Sequence, residues 1–380
     1  MKIGILTQPL STNYGGLLQA YALQVVLKNM DHEVWTVDKQ ETELSIIVKI
    51  FSILKRFMLR ILYLNPNLIR VWATKNEQNK INIHTNRFIK QNINTTKKIK
   101  SFSKLTFLKK YNFDAYVVGS DQVWRLKYSP LITNYFLDFI DKNENVKRIA
   151  YAASFGVDKW EFSPKLTRQC AILSKRFDAI SVREDSAIQL CQENLGVEAY
   201  QVVDPTMLLT KEDYLILVEK DKVPKSTGTL LVYVLDKSIE NNEIIKRIEL
   251  EMGLTPFSIM AKNTFYEVGK DNLKDCIFPP VTEWIRGFLD AKYVITDSFH
   301  GTVFSIIFNK PFICIGNMDR GVIRFTSLLK IFGLEDRLIL SKDELTEEKI
   351  KKNIDFNFVN ETLYIEKQKA IKFLFSTLNN

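Results

Sequence analysis

The residues best suited to chemistry lie at 296–301, where the sequence reads TDSFHG. The apolar residues 293–295 before this segment predict a buried strand, and residues 302–308 after it predict a buried helix. We therefore expect His300 near a helix N-terminus, where free backbone N–H groups attract anions and Gly301 lets a ligand approach the backbone. An imidazole beside a bound phosphate or carboxylate tends to hold its proton, which suits a general acid or an anion clamp. The alternative is a packed or capping histidine, and this segment alone does not decide between them.

A second helix start is predicted near the beginning of the chain, where residues 11–16 lead into a helix from about Leu17. Gly15 and Gly16 permit close backbone approach to a phosphate, and Asn13 is a suitable helix cap. A Gly-Gly turn is by itself a weak signal, because a structural turn has the same appearance.

These segments must be positioned by other elements, and the chain alternates strands and helices as α/β proteins do. Most of the predicted strands end in a small or polar cluster, which is where ligands bind in parallel sheets. The polar residues 220–228 contain Pro224 and predict a linker between two such series. The predicted strands are 3–7, 33–37, 115–118, 148–152, 179–182 and 201–203 before the linker, and 229–235, 255–260, 293–295 and 312–315 after it.

The predicted architecture is therefore α/β, with two Rossmann-like domains facing a cleft. A chain of 380 residues is long for a single core, so two domains of ordinary size are expected. The first domain is predicted at 1–210 with an insertion at about 41–110, and the second at 225–360. Residues 361–380 are predicted to form a C-terminal helix that packs back on the first domain.

The composition is that of a soluble globular protein, with 46% hydrophobic and 26% charged residues. The four cysteines are widely spaced and only three histidines are present, so neither a zinc site nor a disulfide framework is expected. Residues 1–7 are typical of a strand rather than a signal peptide, because polar Thr7 and Gln8 interrupt the apolar run. We therefore expect a cytoplasmic protein.

The positive charge is concentrated in one segment. Residues 41–110 hold 15 Lys or Arg and three acidic residues, a net charge of +12, so the rest of the chain carries −3 of the total +9. Within this segment, residues 46–62 combine large apolar residues with cations and lack Gly and Pro. This pattern is typical of an amphipathic helix on an anionic membrane surface, and the alternative is a basic-faced helix packed on its own domain. No RNA-binding or zinc-finger motif is present, so nucleic acid is not an expected partner.

Six segments of the chain are distinctive when taken together and in order. They resemble the polysaccharide pyruvyltransferase family over about residues 3–340. The resemblance implies a fold like that of the two-domain B-type glycosyltransferases. It also implies transfer of pyruvate from phosphoenolpyruvate to two hydroxyls of one sugar, which gives a cyclic ketal. The segments are NYGGLLQAYAL at 13–23, GSDQVW at 119–124, YAASFG at 151–156, SVRE at 181–184, DPT at 204–206 and TDSFHG at 296–301.

The resemblance assigns candidate roles to individual residues. His300 falls on the family's active-site histidine and Arg183 on the arginine of its Val-Arg-Glu motif. Ketal formation needs an acid and a base. We expect His300 as the acid or as the group that assists phosphate departure, and Asp121 or Glu184 as the base. Turn capping and an internal salt bridge are the structural alternatives for these two carboxylates. The expected substrate-binding residues are Asn13, Tyr14, Gly15, Gly16, Ser120, Ser298, Gly301 and Thr302.

The chain departs from the family pattern at Ser298, where many members carry arginine. Serine can hydrogen-bond an anion but adds no charge, so another cation is needed for the phosphoenolpyruvate carboxylate. Arg125, Arg320 and Arg324 are the candidates, and the sequence does not rank them.

The family resemblance also implies the partners. The expected acceptor is a precursor of a bacterial surface polysaccharide, such as an exopolysaccharide or capsule. If this precursor is lipid-linked, the basic segment would hold the enzyme peripherally on the inner face of the cytoplasmic membrane. No metal or redox cofactor is expected, and phosphoenolpyruvate is the co-substrate. Two alternatives stay open: a nucleotide-sugar glycosyltransferase of the same fold, and a non-catalytic, membrane-associated assembly or binding subunit.

Overall fold

The computed structural model describes residues 1–40, 46–61, 72–100, 105–317 and 321–379, which form two parallel sheets. The first sheet has the strand order β2-β1-β3-β4-β5-β6 and the second has the order β11-β10-β9-β7-β8. All neighbouring strands are parallel. The strands are β1 (Lys2–Leu6), β2 (Glu33–Thr36), β3 (Ala115–Val118), β4 (Lys147–Ala153), β5 (Ala179–Val182), β6 (Tyr200–Gln201), β7 (Leu230–Tyr233), β8 (Pro256–Phe257), β9 (Tyr293–Thr296), β10 (Phe312–Ile315) and β11 (Leu338–Ile339).

This architecture confirms the predicted fold class of two Rossmann-like α/β domains. Every strand predicted from the sequence is present within a few residues, and the linker at 220–228 lies between the two sheets. Within the described residues, β11 is the one additional strand, and its two residues are too few to give a recognisable pattern.

Helices connect the strands, as parallel pairing requires. They are α1 (Tyr14–Lys28), α2 (Ile46–Ile61), α3 (Lys75–Ile81), α4 (Ile83–Asn92), α5 (Pro164–Ser174), α6 (Ser186–Leu190), α7 (Lys211–Lys220), α8 (Ile239–Met252), α9 (Phe265–Val268), α10 (Val281–Asp290), α11 (Phe299–Ile307), α12 (Ile323–Phe332), α13 (Glu347–Lys351) and α14 (Phe356–Asn379). Among the described residues, none of these helices has the length and apolar character needed to cross a bilayer.

Helix α1 lies in a core that both domains share. Tyr14 stacks on Trp284 of α10 with a distance of 5.7 Å between ring centres, and its hydroxyl donates to the carbonyl of Pro279 at 2.8 Å. The prediction of a helix from about Leu17 is wrong, since α1 begins at Tyr14 and includes both glycines in its first turn. These contacts anchor Tyr14, and Asn13 caps the helix by accepting from the Gly16 amide at 3.1 Å.

Helix α14 returns to the first sheet. The Lys147 ammonium on β4 donates to the Thr377 carbonyl at 2.9 Å, and the Phe373 ring lies 6.4 Å from that of Tyr151. The helix begins at Phe356, before the predicted start at 361, because apolar residues such as Val359 already contribute to the shared core.

The basic insertion contributes helices that touch both domains. Phe88 of α4 packs against Tyr21 of α1 with ring centres 5.9 Å apart. The Phe278 amide of the second domain donates to the Ile81 carbonyl of α3 at 3.2 Å. Beyond α4 the chain runs along the edge of the first sheet, where Thr95 pairs with Thr36. Residues 41–45, 62–71 and 101–104 of the predicted insertion lie outside the described residues.

Candidate active site

A cleft of about 630 Å³ lies between the two sheets. Loops that follow the carboxyl ends of strands from both domains form its walls, as expected for parallel sheets. Gln8 and Asp121 belong to the first-domain wall, and Leu235 and Ser298 belong to the second. The cleft is therefore in the position where α/β enzymes bind their substrates.

The second-domain wall contains the N-terminus of α11. The Asp297 carboxylate accepts from the amides of Leu235 at 2.7 Å and Asp236 at 2.8 Å, which ties the loop after β9 to the loop after β7. Ser298 caps α11 by accepting from the Gly301 amide. These contacts fix where α11 begins and so place His300 at its second residue, on the cleft wall.

Gly301 and Thr302 stabilise the first turn of α11 and its contact with β9. A side chain at Gly301 would place its Cβ 2.1 Å from the Thr296 hydroxyl oxygen, so the space beside this glycine is filled by the protein. The Thr302 hydroxyl donates to the Ser298 carbonyl at 3.2 Å.

The start of α1 packs directly against His300. A Cβ at Gly15 would lie 2.1 Å from the histidine Nδ1, so only glycine lets α1 approach this ring. Gly16 is different, because its Cβ would meet the flexible end of Asn13 at 3.2 Å. The two predicted helix starts thus lie together, one from each domain, and His300 lies between them.

Asp204 is the central residue that the sequence prediction missed. It follows β6 in the first domain, and its Oδ2 lies 3.5 Å from His300 Nε2 in the second. The same oxygen accepts from Arg183 at 3.0 Å and lies 3.2 Å from the Ser120 hydroxyl, and Oδ1 accepts from the Thr206 amide and hydroxyl. Burial alone would raise the pKa of Asp204, but His300, then Arg183 and the Thr206 amide, outweigh burial and hold this pKa well below its usual value.

Arg183 is buried behind the cleft wall among three carboxylates. Besides Asp204, its guanidinium nitrogens lie 3.4 Å from Asp121 and 3.5 Å from Glu184. The guanidinium carbon of Arg183 lies 4.2 Å from the centre of the Phe299 ring. Burial would lower the pKa of Arg183, but the attraction of Glu184, Asp121 and Asp204 together raises it. Arg183 is therefore a permanent cation whose charge is balanced inside the protein.

The two candidate bases lie in different environments. Asp121 borders the cleft, whereas Glu184 is buried and does not belong to the cleft lining. Glu184 accepts from the Ser154 hydroxyl in addition to its contact with Arg183. Asp121 is thus the carboxylate of this pair that a substrate in the cleft can reach.

The remaining residues predicted to bind substrate also divide into those that border the cleft and those buried behind its wall. Asn13 and Tyr14 border the cleft. Ser120 is buried, with its amide donating to Gln19 at 3.0 Å and its carbonyl accepting from Thr7 at 3.1 Å. Gln19 also donates to Thr7 at 2.8 Å, so it links α1 to the loops after β1 and β3. Its place in the NYGGLLQAYAL segment was the signal that could have identified it.

Arg324 is the candidate cation that borders the cleft. It lies on α12, and its guanidinium carbon lies 5.9 Å from the centre of the Phe299 ring. Burial and repulsion by Arg183 lower its pKa to about 10, against the attraction of Asp121 and Glu184, so it remains cationic at neutral pH. Arg125 instead donates to Gln122 at 3.0 Å and does not line the cleft. Arg320 lies outside the described residues.

The family pattern of polysaccharide pyruvyl transferases matches residues 13–320, a span that includes Arg183, Asp204 and His300. The chain belongs to the polysaccharide pyruvyl transferase family. The match confirms the resemblance drawn from the six sequence segments. No curated protein matches this chain.

Solved structures of nucleotide-sugar enzymes are similar to this family member in fold. The UDP-GlcNAc 2-epimerase from Methanocaldococcus jannaschii has a TM-score of 0.52 and 14% identity, covering 99% of this chain and 100% of its own. The S. aureus MnaA structure with UDP has a TM-score of 0.53 and 12% identity, covering 100% of this chain and 97% of its own. At these identities the likeness shows the fold, which is that of the B-type glycosyltransferases and related epimerases.

Replacing Gly15 with alanine should destabilise the protein, because the new methyl group would collide with the His300 ring. We expect a loss of about 1–3 kcal/mol in the free energy of unfolding, measured by denaturant titration. Gly16→Ala is the matched control and should change this free energy by less than about 1 kcal/mol. Equal losses in the two variants would contradict the assigned contact.

Replacing Asp204 with asparagine should leave Arg183 partly uncompensated and lower the free energy of unfolding at pH 7 by about 3 kcal/mol. The low pKa of Asp204 stabilises the folded state above the unfolded value of about 3.9, and this contribution is lost as the pH falls below it. The difference in the free energy of unfolding between wild type and variant should therefore decrease by about 1 kcal/mol from pH 5 to pH 3. A pH-independent difference in denaturant titrations would contradict this assignment.

Proposed function

We propose that the protein transfers pyruvate from phosphoenolpyruvate to two hydroxyls of one sugar in a surface-polysaccharide precursor, forming a cyclic ketal. Family membership supports a pyruvyl transferase. The observation that carries the proposal is that His300 and Arg324 both border the cleft beside the start of α11, with the buried Asp204 behind His300. Phosphoenolpyruvate carries a phosphate and a carboxylate, which require such convergent cations and N–H groups.

Arg324 is our candidate for binding the phosphoenolpyruvate carboxylate. Ser298 brings no charge to this wall, and the nearby Arg183 is surrounded by carboxylates. Arg324 borders the cleft beside Phe299 and remains cationic at neutral pH. It therefore supplies the positive charge that many family members obtain from an arginine at the position of Ser298.

His300 is our candidate acid. Its buried Nε2 lies 3.5 Å from the Asp204 carboxylate, a contact that is too long for a good hydrogen bond. A buried nitrogen of this kind on the cleft wall would be satisfied by an oxygen of the substrate, and it could donate its proton during the reaction.

A proton passes from His300 to the methylene carbon of phosphoenolpyruvate, and one sugar hydroxyl adds at C2 while its proton passes to Asp121. The second hydroxyl then attacks the same carbon and its proton passes to His300. Inorganic phosphate leaves with the C–O bond electrons and takes the proton held by Asp121, which closes the ketal ring and restores both side chains. The N–H groups at the start of α11 stabilise the negative charge on the departing group.

His300→Ala should lower kcat by about 10²–10⁴-fold because it removes the proposed acid. Arg324→Gln should instead raise the KM for phosphoenolpyruvate by about 10–100-fold, the loss expected for a charged hydrogen bond. Arg286→Gln, a change outside the cleft, is the control. The assay measures phosphate release from phosphoenolpyruvate with glycan fractions as acceptors, and mass spectrometry of the glycan for a pyruvate-sized gain. Turnover of a nucleotide sugar without phosphate release would instead support glycosyl transfer.

We further propose that the enzyme contacts an anionic membrane surface through α2, where a lipid-linked acceptor would be presented. One face of this helix turns inward: the Arg56 guanidinium donates to the Tyr266 hydroxyl at 3.2 Å and lies 5.3 Å from its ring centre. The opposite face is apolar and exposed, and it offers area for insertion among lipid headgroups. Its described side chains, 50–68% exposed, are Ile50, Phe51, Leu54, Phe57 and Met58.

The exposed side of α2 is thus mainly apolar, with Lys55 exposed beside it. The net charge of the insertion supplies the attraction to anionic lipid. The double variant Leu54→Gln, Met58→Gln should lose most binding to vesicles containing anionic lipid, measured by sedimentation. The control is Ile172→Gln, Ile216→Gln, which changes two side chains on other helices that are each 62% exposed. Equal binding by both double variants would contradict the proposal.

A further inference from the structure

Lys39 is a buried cation on the first-domain wall of the cleft that the proposed reaction does not use. Its side chain follows β2 and is only 2% exposed, yet it belongs to the cleft lining. The ammonium lies 4.9 Å from the centre of the Tyr135 ring. The Asn134 side-chain amide lies between Lys39 and Asp138. In the orientation that satisfies both, its oxygen accepts from the Lys39 ammonium at 3.1 Å and its nitrogen donates to Asp138.

These contacts do not balance the charge of Lys39. Among the described residues, no Asp or Glu forms an ion pair with its ammonium, and Asp138 acts on it only at longer range. Burial lowers the pKa of Lys39 to about 8, against the attraction of Asp138, so the group is mostly charged at neutral pH. A buried ammonium without a counter-ion is unfavourable, and an anion in the cleft would offset this cost.

The surroundings of Lys39 favour an anion from a different molecule than phosphoenolpyruvate. Lys127 lies on the same wall of the cleft, exposed and 5.7 Å from the centre of the Tyr128 ring. The groups proposed to bind phosphoenolpyruvate, Arg324 and His300, belong to the second domain. Since phosphoenolpyruvate is proposed to bind to the second-domain wall, the substrate that contacts the first-domain wall is the acceptor.

We propose that Lys39, together with Lys127, forms an anion-binding subsite, and that the acceptor carries a phosphate or a carboxylate beside the sugar that is modified. The inference rests on the proposed function only in identifying the ligand as the acceptor. Both anions share the chemistry that an ammonium recognises, and a sugar phosphate and an acidic sugar are the two sources to be distinguished.

The test is calorimetric titration of the protein with glucose 1-phosphate, glucuronate and glucose in the absence of phosphoenolpyruvate. Wild type should bind at least one of the two anionic sugars more tightly than glucose, and the preferred anion identifies its source. Lys39→Met should weaken that binding at least tenfold. The matched control is Lys310→Met, a half-buried lysine with a lowered pKa outside the cleft lining, and its affinity should be unchanged.

Further readouts separate this inference from other outcomes. Lys39→Met should unfold at the same or a higher temperature, since it removes a buried charge without a counter-ion. If it unfolds at a lower temperature, Lys127→Met at its exposed position provides the second test and should weaken anion binding at least threefold. Because these titrations omit phosphoenolpyruvate, they remain informative even if no pyruvyl transfer is found. No preference for either anion in wild type, or a raised KM for phosphoenolpyruvate with unchanged sugar binding, would overturn the inference.

Discussion

The buried ion pair between Arg183 and Asp204 is the contact on which the arrangement of the active site depends. Removing such charges from water costs several kcal/mol per ion, so each must be matched by neighbours that are fixed in place. Asp204 meets this requirement with Arg183, Ser120 and Thr206 from its own domain. The same carboxylate also faces His300 from the other domain. The position of the proposed acid relative to Asp204 therefore depends on the correct packing of the two domains.

The shared core makes that packing stable. Tyr14 holds the start of α1 against α10 of the second domain, and Gly15 provides the space that the His300 ring occupies. The His300 ring thus packs against the first turn of α1. A cleft that opened widely would separate these contacts, so we expect any domain movement during catalysis to be small near α1.

Positive charge has three distinct roles in the described parts of this protein. Arg183 is neutralised internally by three carboxylates. Arg324 and Lys39 border the cleft from opposite domains, where they suit the binding of anions. In our proposal the net charge of the insertion attracts an anionic surface, and Lys55 is exposed beside the apolar side chains of α2. A total charge therefore says little about function until each cation has been located.

The sequence by itself determined the fold class, the family and every described strand except β11, because each of these strands is a local apolar run and most of the motifs lie at or just after the end of a strand. It also predicted the helix start at which His300 lies. It missed β11, which is too short to form a pattern, and it started α1 too late, because the contact that anchors Tyr14 comes from residue 279. Only the tertiary structure decided that Asp204 joins His300, that Glu184 is buried while Asp121 is accessible, and which face of α2 is exposed. Such facts depend on residues far apart in the chain, and a linear pattern does not contain the distances between them.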